Sequence, residues 1–119
     1  MTIPKQKIIP DPEPPLSVSR MVEDIIGCKW SLTVLNLIRQ GVHRPGAMRR
    51  GVEGLTTKVL NERLRKLTRF GIVERRVFPE VPPHVEYTLT TFGHKFSEVL
   101  ESIERLEAEQ GRMKNEESR

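Results

Sequence analysis

The stretch GLTTKVLNERLRKLTRFG, residues 54–71, decides the fold. At ~100° per residue, Leu60, Leu64 and Leu67 fall within an arc of ~60°, and Val59 and Phe70 widen one side of it. That pattern predicts an amphipathic helix. Thr56 is the natural N-cap and Gly71 closes the far end. Opposite the leucines the helical wheel puts Lys58, Glu62, Arg65 and Arg69, with Asn61 on one shoulder and Lys66 on the other. Arg63 lies near the apolar edge, between Leu67 and Val59, where packing or a structural ion pair is expected.

Working outward, SVSRMVEDIIG places Met21, Val22, Ile25 and Ile26 on one side of a short helix, with Ser17 or Ser19 as N-cap and Gly27 as the stop. KWSLTVLNLIRQG follows with Trp30, Val34, Leu37 and Ile38 at helical spacing, a near-continuous apolar run that reads as a core helix ending at Gly41. VHRPGAMRRGVEG is a short turn-bounded piece in which Pro45 suits a first helical turn and Ala47 and Met48 supply buried contacts. After the opening stretch, IVERRVF and HVEYTL are β-rich runs joined by PEVPP, whose prolines cannot donate to a ladder. Residues 72–89 therefore read as a hairpin with a stiff tip.

From Thr90 onward, Leu89, Phe92, Phe96, Val99, Ile103, Leu106 and Met113 recur at steps of three, four and seven, a heptad seam. The seam runs on beyond any plausible core of one small domain and predicts a helix-to-helix contact between two copies of the chain. Fraying is expected beyond Gly111. Residues 1–15 hold five prolines and no helical period, so the expected organisation is a disordered arm over 1–15, one folded domain over 16–110 whose last helix covers about 90–110, and a flexible tail over 111–119.

Charge is distributed unevenly. Residues 39–76 carry eleven basic and three acidic side chains, a block of +8 in a chain of net charge +4, whereas 98–119 carry seven acidic and four basic. That asymmetry points to a polyanionic partner. No apolar run approaches the ~18 residues of a membrane span, and MTIPKQKIIPDPEPPLS lacks the apolar core of a secretory signal. The single cysteine, Cys28, has no intrachain disulfide partner, which suits a reducing, cytoplasmic setting.

Helix, helix, short helix, longer helix, hairpin is the order of a winged helix-turn-helix: mainly α with a β-hairpin wing. In that arrangement the longer helix enters the major groove of DNA and the hairpin reaches along the backbone or into the minor groove. Arginine pairs bidentately with guanine and asparagine with adenine, while lysine and threonine mostly hold phosphate. Because recognition helices enter by their N-terminal end, Thr57, Lys58 and Asn61 are the expected base-reading residues, and Arg65 reads base or backbone. Arg69, in the last turn, is as well suited to the helix C-terminus. Arg44, Arg49 and Arg50 face flanking phosphates in this reading, and Arg75, Arg76 and His84 lie on the wing.

IIGCKWSLTVLNLI, GLTTKVLNERLRKL and GIVERRVFPEVPPHVEYTLTTFG together resemble the HxlR-type, MarR-like bacterial winged-helix transcriptional regulators, over residues 17–106. The resemblance implies a homodimer that binds a pseudo-palindromic operator, with the first and last helices as dimer interface. Met21, Ile25, Phe92, Phe96, Val99, Ile103 and Leu106 are the interface residues so implied. It also implies DNA contact at Thr57, Lys58, Asn61 and Arg65, and wing contact at Pro82 and His84. Two departures stand out. Where many members carry a sensing cysteine followed by proline, this chain has Ser17 and Val18, which argues against family-type thiol sensing there. Where members commonly show R-F-x-E-L, this chain has RPGAM, so the path of the short helix at 45–50 is open.

Cys28 sits between the first two helices beside Lys29, where a helix N-terminus and a neighbouring cation lower a thiol pKa. A redox role and an inert half-buried thiol both fit, and a redox or small-molecule effector stays open. No cofactor or metal site is expected: His43, His84 and His94 lie in different elements without ligand spacing, and no phosphate-binding glycine loop occurs. Catalysis therefore has no visible apparatus. The rival reading is a winged-helix module that binds protein or RNA without specific DNA readout.

Overall fold

The computed structural model describes residues 16–117, which form α1 (Val18–Ile26), α2 (Lys29–Arg39), α3 (Pro45–Gly51), α4 (Thr57–Arg69), β1 (Val73–Phe78), β2 (His84–Leu89) and α5 (Thr91–Glu117). The arm expected over residues 1–15 lies outside that range.

Ser17 is the cap of α1, its Oγ accepting from the Arg20 N–H at 3.2 Å. Thr56 caps α4 in the same way, accepting from the Val59 N–H at 3.2 Å. Such caps satisfy N–H groups that a helix start leaves without partners. The short helix begins at Pro45, where the missing N–H costs nothing, and buries Met48. Its path, open in the sequence, is an ordinary helix of nearly two turns before Val52.

Leu60, Leu64 and Leu67 of α4 are fully buried against Ile25 of α1, Val34, Leu35 and Ile38 of α2, and Met48. Ile72 and Val73 at the root of the wing, with Phe96 and Leu100 of α5, complete this core. The stripe read from periodicity is the face that packs, and the opposite face of α4 is exposed.

The two strands pair antiparallel, from Val73 opposite Leu89 to Phe78 opposite His84, which places the hairpin within the expected 72–89. The segment between α2 and α3 runs alongside β2, where the His43 carbonyl accepts from the Tyr87 N–H at 2.8 Å. At the wing's base the Ile72 carbonyl accepts from the Thr90 N–H at 3.0 Å, and Thr90 Oγ1 accepts from the Gly93 N–H at 2.9 Å to start α5. Gly93 passes so close to that carbonyl that any Cβ would overlap it.

Two features of α5 differ from the sequence reading. The helix continues through Gly111 to Glu117, past the point where fraying was expected. The interface residues are also divided. Met21, Ile25 and Phe96 are 7%, 0% and 1% exposed within the single chain, so their apolar surface is already used by its own core. Phe92 packs against that core as well. Val99 and Leu106 are exposed, together with Met113, and Ile103 is half-buried. A heptad seam states that a helix has a partner, and its first turns find theirs within the chain.

Candidate nucleic-acid interface

The outward face of α4 is built by what its inward face and its shoulder do. Lys66 is pulled to the side by an ion pair with Asp24 of α1. Arg63, expected at the apolar edge, is half-buried with its Nε covered and without a hydrogen-bond partner, so it packs and is not ion-paired among the described residues. That leaves Thr57, Lys58, Asn61, Glu62, Arg65 and Arg69 in solvent. Lys58, Asn61 and Arg65 make no hydrogen bond or ion pair with another side chain among the described residues. Their donors are free for an external acceptor.

The helix N-terminus adds to this. The first turn of α4 carries no acidic residue, so the positive end of the helix dipole and the Lys58 ammonium act together. Thr57 is not free: Arg49 Nη1 of α3 donates to its Oγ1 at 2.5 Å. Two residues assigned separately to phosphate and base contact are thus one unit. Arg50 is exposed beside it.

On the wing the expected contact residues divide. Arg76 is tied to Glu74 at 2.9 Å on its own strand. His84 is largely enclosed: its ring stacks on Phe78, with centroids 4.6 Å apart and planes 12° from parallel, while Nδ1 lies 3.3 Å from Glu80 and Nε2 lies 3.1 Å from Glu86. Arg44 approaches the same place, with Nη2 3.4 Å from His84 Nε2 and Nε 3.7 Å from Glu86. Nε2 cannot both accept from Arg44 and donate to Glu86, so the imidazole tautomer selects one. Histidine and arginine here brace the wing against the start of α3, which a sequence cannot show because the partners come from three elements. Pro82 is exposed at the tip.

Arg75 differs from its neighbour Arg76. It points into an open cleft of about 450 Å³ between α4 and the hairpin, lined by Asn61, Arg65, Thr68, Arg69, Arg75 and Tyr87. Nothing in the sequence announces the cleft, because it depends on the register that sets Tyr87 opposite Arg75.

Cys28 occupies the N-cap position of α2 and is half-buried. The Ser31 hydroxyl holds its thiol below the ordinary cysteine value; burial opposes this, and the Ser31 N–H and the charges of Arg63 and Lys66 assist. Ser31 Oγ is itself buried without a partner of normal geometry, so its hydroxyl is free to turn to the sulfur. Among the described residues no group of three or more His, Cys, Asp or Glu side chains is placed to hold a metal ion, and no helix is long and apolar enough to cross a membrane.

An exposed, donor-rich helix over a leucine-packed core, with a hairpin beside it, is the winged-helix arrangement. The model of the HxlR-like helix-turn-helix family matches residues 25–115. The chain belongs to that family. Among its relatives, an HTH-type transcriptional regulator of Synechocystis, sll1512, whose own role is uncharacterised, is 41% identical over 85 residues, covering 71% of this chain and 63% of that protein. YtfH of Escherichia coli, likewise an uncharacterised HTH-type regulator, is 36% identical over 85 residues, covering 71% and 68%. The chain thus spans somewhat under two thirds of the length of the first of these and slightly more of the second. A solved structure from Enterococcus faecalis, assigned to the MarR family of transcriptional regulators, superposes with a TM-score of 0.73 at 34% identity, over 81% of this chain and 87% of that one. The reduced form of the redox regulator HypR superposes with a TM-score of 0.67 at 33% identity, over 81% and 94%. The HxlR-like fold accounts for the element order, and the side chains described above are this chain's own.

Proposed function

We propose that this HxlR-like chain is a sequence-specific, double-stranded DNA-binding transcriptional regulator of the cytoplasm. It binds a pseudo-palindromic operator as a homodimer, with the helix at 56–70 in the major groove and the hairpin at 72–89 as wing. The observation that carries this reading is the set of uncommitted donors on α4: Lys58, Asn61 and Arg65 stand exposed while Lys66, Arg39 and Arg76 are held by carboxylates. A chain that pairs its structural cations and leaves these bare presents them to an external anion.

Homodimerisation is supported by the exposed end of the heptad stripe. Ile103, Leu106 and Met113 line one open groove on α5 of about 400 Å³, and Leu16, Val18 and Ile26 are exposed at α1. Two copies meeting there set two recognition helices in a symmetric pair, as a two-fold operator requires.

The test is binding to duplex selected from a random-sequence pool, measured against salt. A steep fall of log affinity with log salt is expected, with Lys58→Ala weakening all duplexes alike and Asn61→Ala changing the preferred base. Binding that is salt-insensitive and blind to sequence would sink the proposal in favour of a protein- or RNA-binding module.

A further inference from the structure

We infer that the cleft between α4 and the wing seats one backbone phosphate of the bound duplex, making Arg69 and Tyr87 contact residues alongside Arg65 and Arg75. The inference rests on the DNA-binding reading above and adds a place and residues to it.

The walls of the cleft follow from two periodicities. Asn61, Arg65 and Arg69 succeed one another at steps of four along α4, a single slowly rotating row. Arg75 and Tyr87 are cross-strand partners, so they project from the same face of the hairpin. The row and the pair face each other across the cleft.

Charge then separates this cleft from the part of the basic surface that is already neutralised. Arg39, Arg44, Lys66 and Arg76 each lie within ion-pair distance of a carboxylate. Arg65, Arg69 and Arg75 have no such partner among the described residues, yet all three line one opening. Three like charges gathered without a counter-charge repel one another, and an anion between them turns that repulsion into attraction. Arg69 is also held in place, its guanidinium 5.9 Å above the ring of Phe70.

The donors suit a phosphodiester. Guanidinium forks match pairs of phosphate oxygens, and the Tyr87 phenol supplies a neutral donor. Thr68 Oγ1 already donates to the Leu64 carbonyl at 2.8 Å, so Thr68 bounds the cleft without being a donor to it. Position agrees as well. From Asn61 to Arg69 the helix rises about 12 Å, whereas the major groove is about 8.5 Å deep. A helix entering by its N-terminal end with Asn61 at the bases therefore carries Arg69 to the rim, where the sugar-phosphate backbone runs.

A free phosphate ester offers the same chemistry, and the experiment separates the two sources. Duplex affinity is measured by fluorescence anisotropy across a salt series, on the selected duplex and on a scrambled one, for the intact chain and for Arg69→Gln, Arg69→Lys, Arg75→Gln and Tyr87→Phe. Thermal unfolding checks that each variant is folded; the two arginines are exposed, and Arg69→Lys keeps the charge should Arg69→Gln fail to fold. Arg69→Gln and Arg75→Gln are each expected to reduce the log–log salt slope, together by no more than about 0.9 for the one phosphate they share, and to weaken both duplexes by the same factor. Arg69→Lys should keep the slope, and Tyr87→Phe should weaken binding several-fold at unchanged slope. Unaltered slopes in both glutamine variants, with the intact chain still binding duplex, overturn the phosphate seat while leaving the DNA reading intact. Arg69-dependent binding of inorganic pyrophosphate with unaltered duplex slopes also overturns it, in favour of a small phosphate ligand. Failure of the intact chain to bind any duplex removes both readings together.

Discussion

Arg39 and Glu104 are 65 positions apart in sequence, yet Arg39 Nη1 lies 3.0 Å from Glu104 Oε1, which joins α2 to α5 outside the apolar core. The same guanidinium donates to Asn36 at 2.7 Å and lies 3.5 Å from Glu101. Arg39 is 15% exposed and its carboxylate partners are half in water, so solvent screens much of the attraction. Arg39→Ala is expected to lower stability by on the order of 1 kcal/mol, and the loss should shrink when urea unfolding is repeated at high salt.

Leu64 and Arg65 are adjacent, and opposite outcomes are expected for them. Leu64→Ala opens a cavity in the centre of the core and should cost about 2–5 kcal/mol in chemical unfolding. Arg65→Ala removes only an exposed side chain and should leave the unfolding midpoint within about 0.5 kcal/mol while weakening duplex binding. A comparable stability loss at both positions would contradict the assignment of faces on α4.

Gly93→Ala tests the junction beneath the wing. The new methyl would overlap the Ile72 carbonyl oxygen, which also accepts from the Thr90 N–H, so relief requires moving backbone rather than a side-chain end. A loss of about 1–3 kcal/mol or more is expected, read as a lowered thermal midpoint. An unchanged midpoint would show that α5 does not dock at this carbonyl.

Cys28 should alkylate as a thiolate at lower pH than an ordinary cysteine. The Ser31 hydroxyl leads the causes that lower its pKa, and the deprotonated sulfur is the nucleophile. The rate of reaction with iodoacetamide should therefore reach half its maximum below the pH found for a free thiol. Ser31→Ala should move that midpoint upward. A profile matching that of a model peptide would show that the helix start does nothing for the sulfur.

Leu106→Glu is expected to convert the proposed homodimer to a monomer in sedimentation equilibrium, since Leu106 is 64% exposed and spends little of its surface within the chain. Phe96→Ala should instead unfold the protomer, because that ring is buried in its own core. If Leu106→Glu sediments as the intact chain does, the contact lies elsewhere.

What could be read from the chain beforehand was whatever depends on local period. The Leu60, Leu64 and Leu67 row required only the helical repeat, and Thr56 and Ser17 required only the preference of hydroxyl side chains for caps. The exposure of Lys58, Asn61 and Arg65 followed by elimination. What could not be read depends on partners distant in sequence. Nothing near Lys66 announces that Asp24 takes it, nor does anything near His84 announce Glu80, Glu86 and Arg44 around one ring. The seam of α5 was legible as apolar, but only packing divides Phe96, turned inward, from Leu106, left in water. Tyr87 lies in the β-rich run HVEYTL, yet its place beside Arg75 is a matter of strand register.

The pair between Lys66 and Asp24 joins α4 to α1. In the proposed homodimer such a link would act as a tie-rod. In that dimer a displacement of α1 by its counterpart would pass to α4 as a change in tilt, and so to the distance at which two α4 helices sit on one duplex. The choice of half-site spacing would thereby be coupled to a contact that never touches a nucleotide.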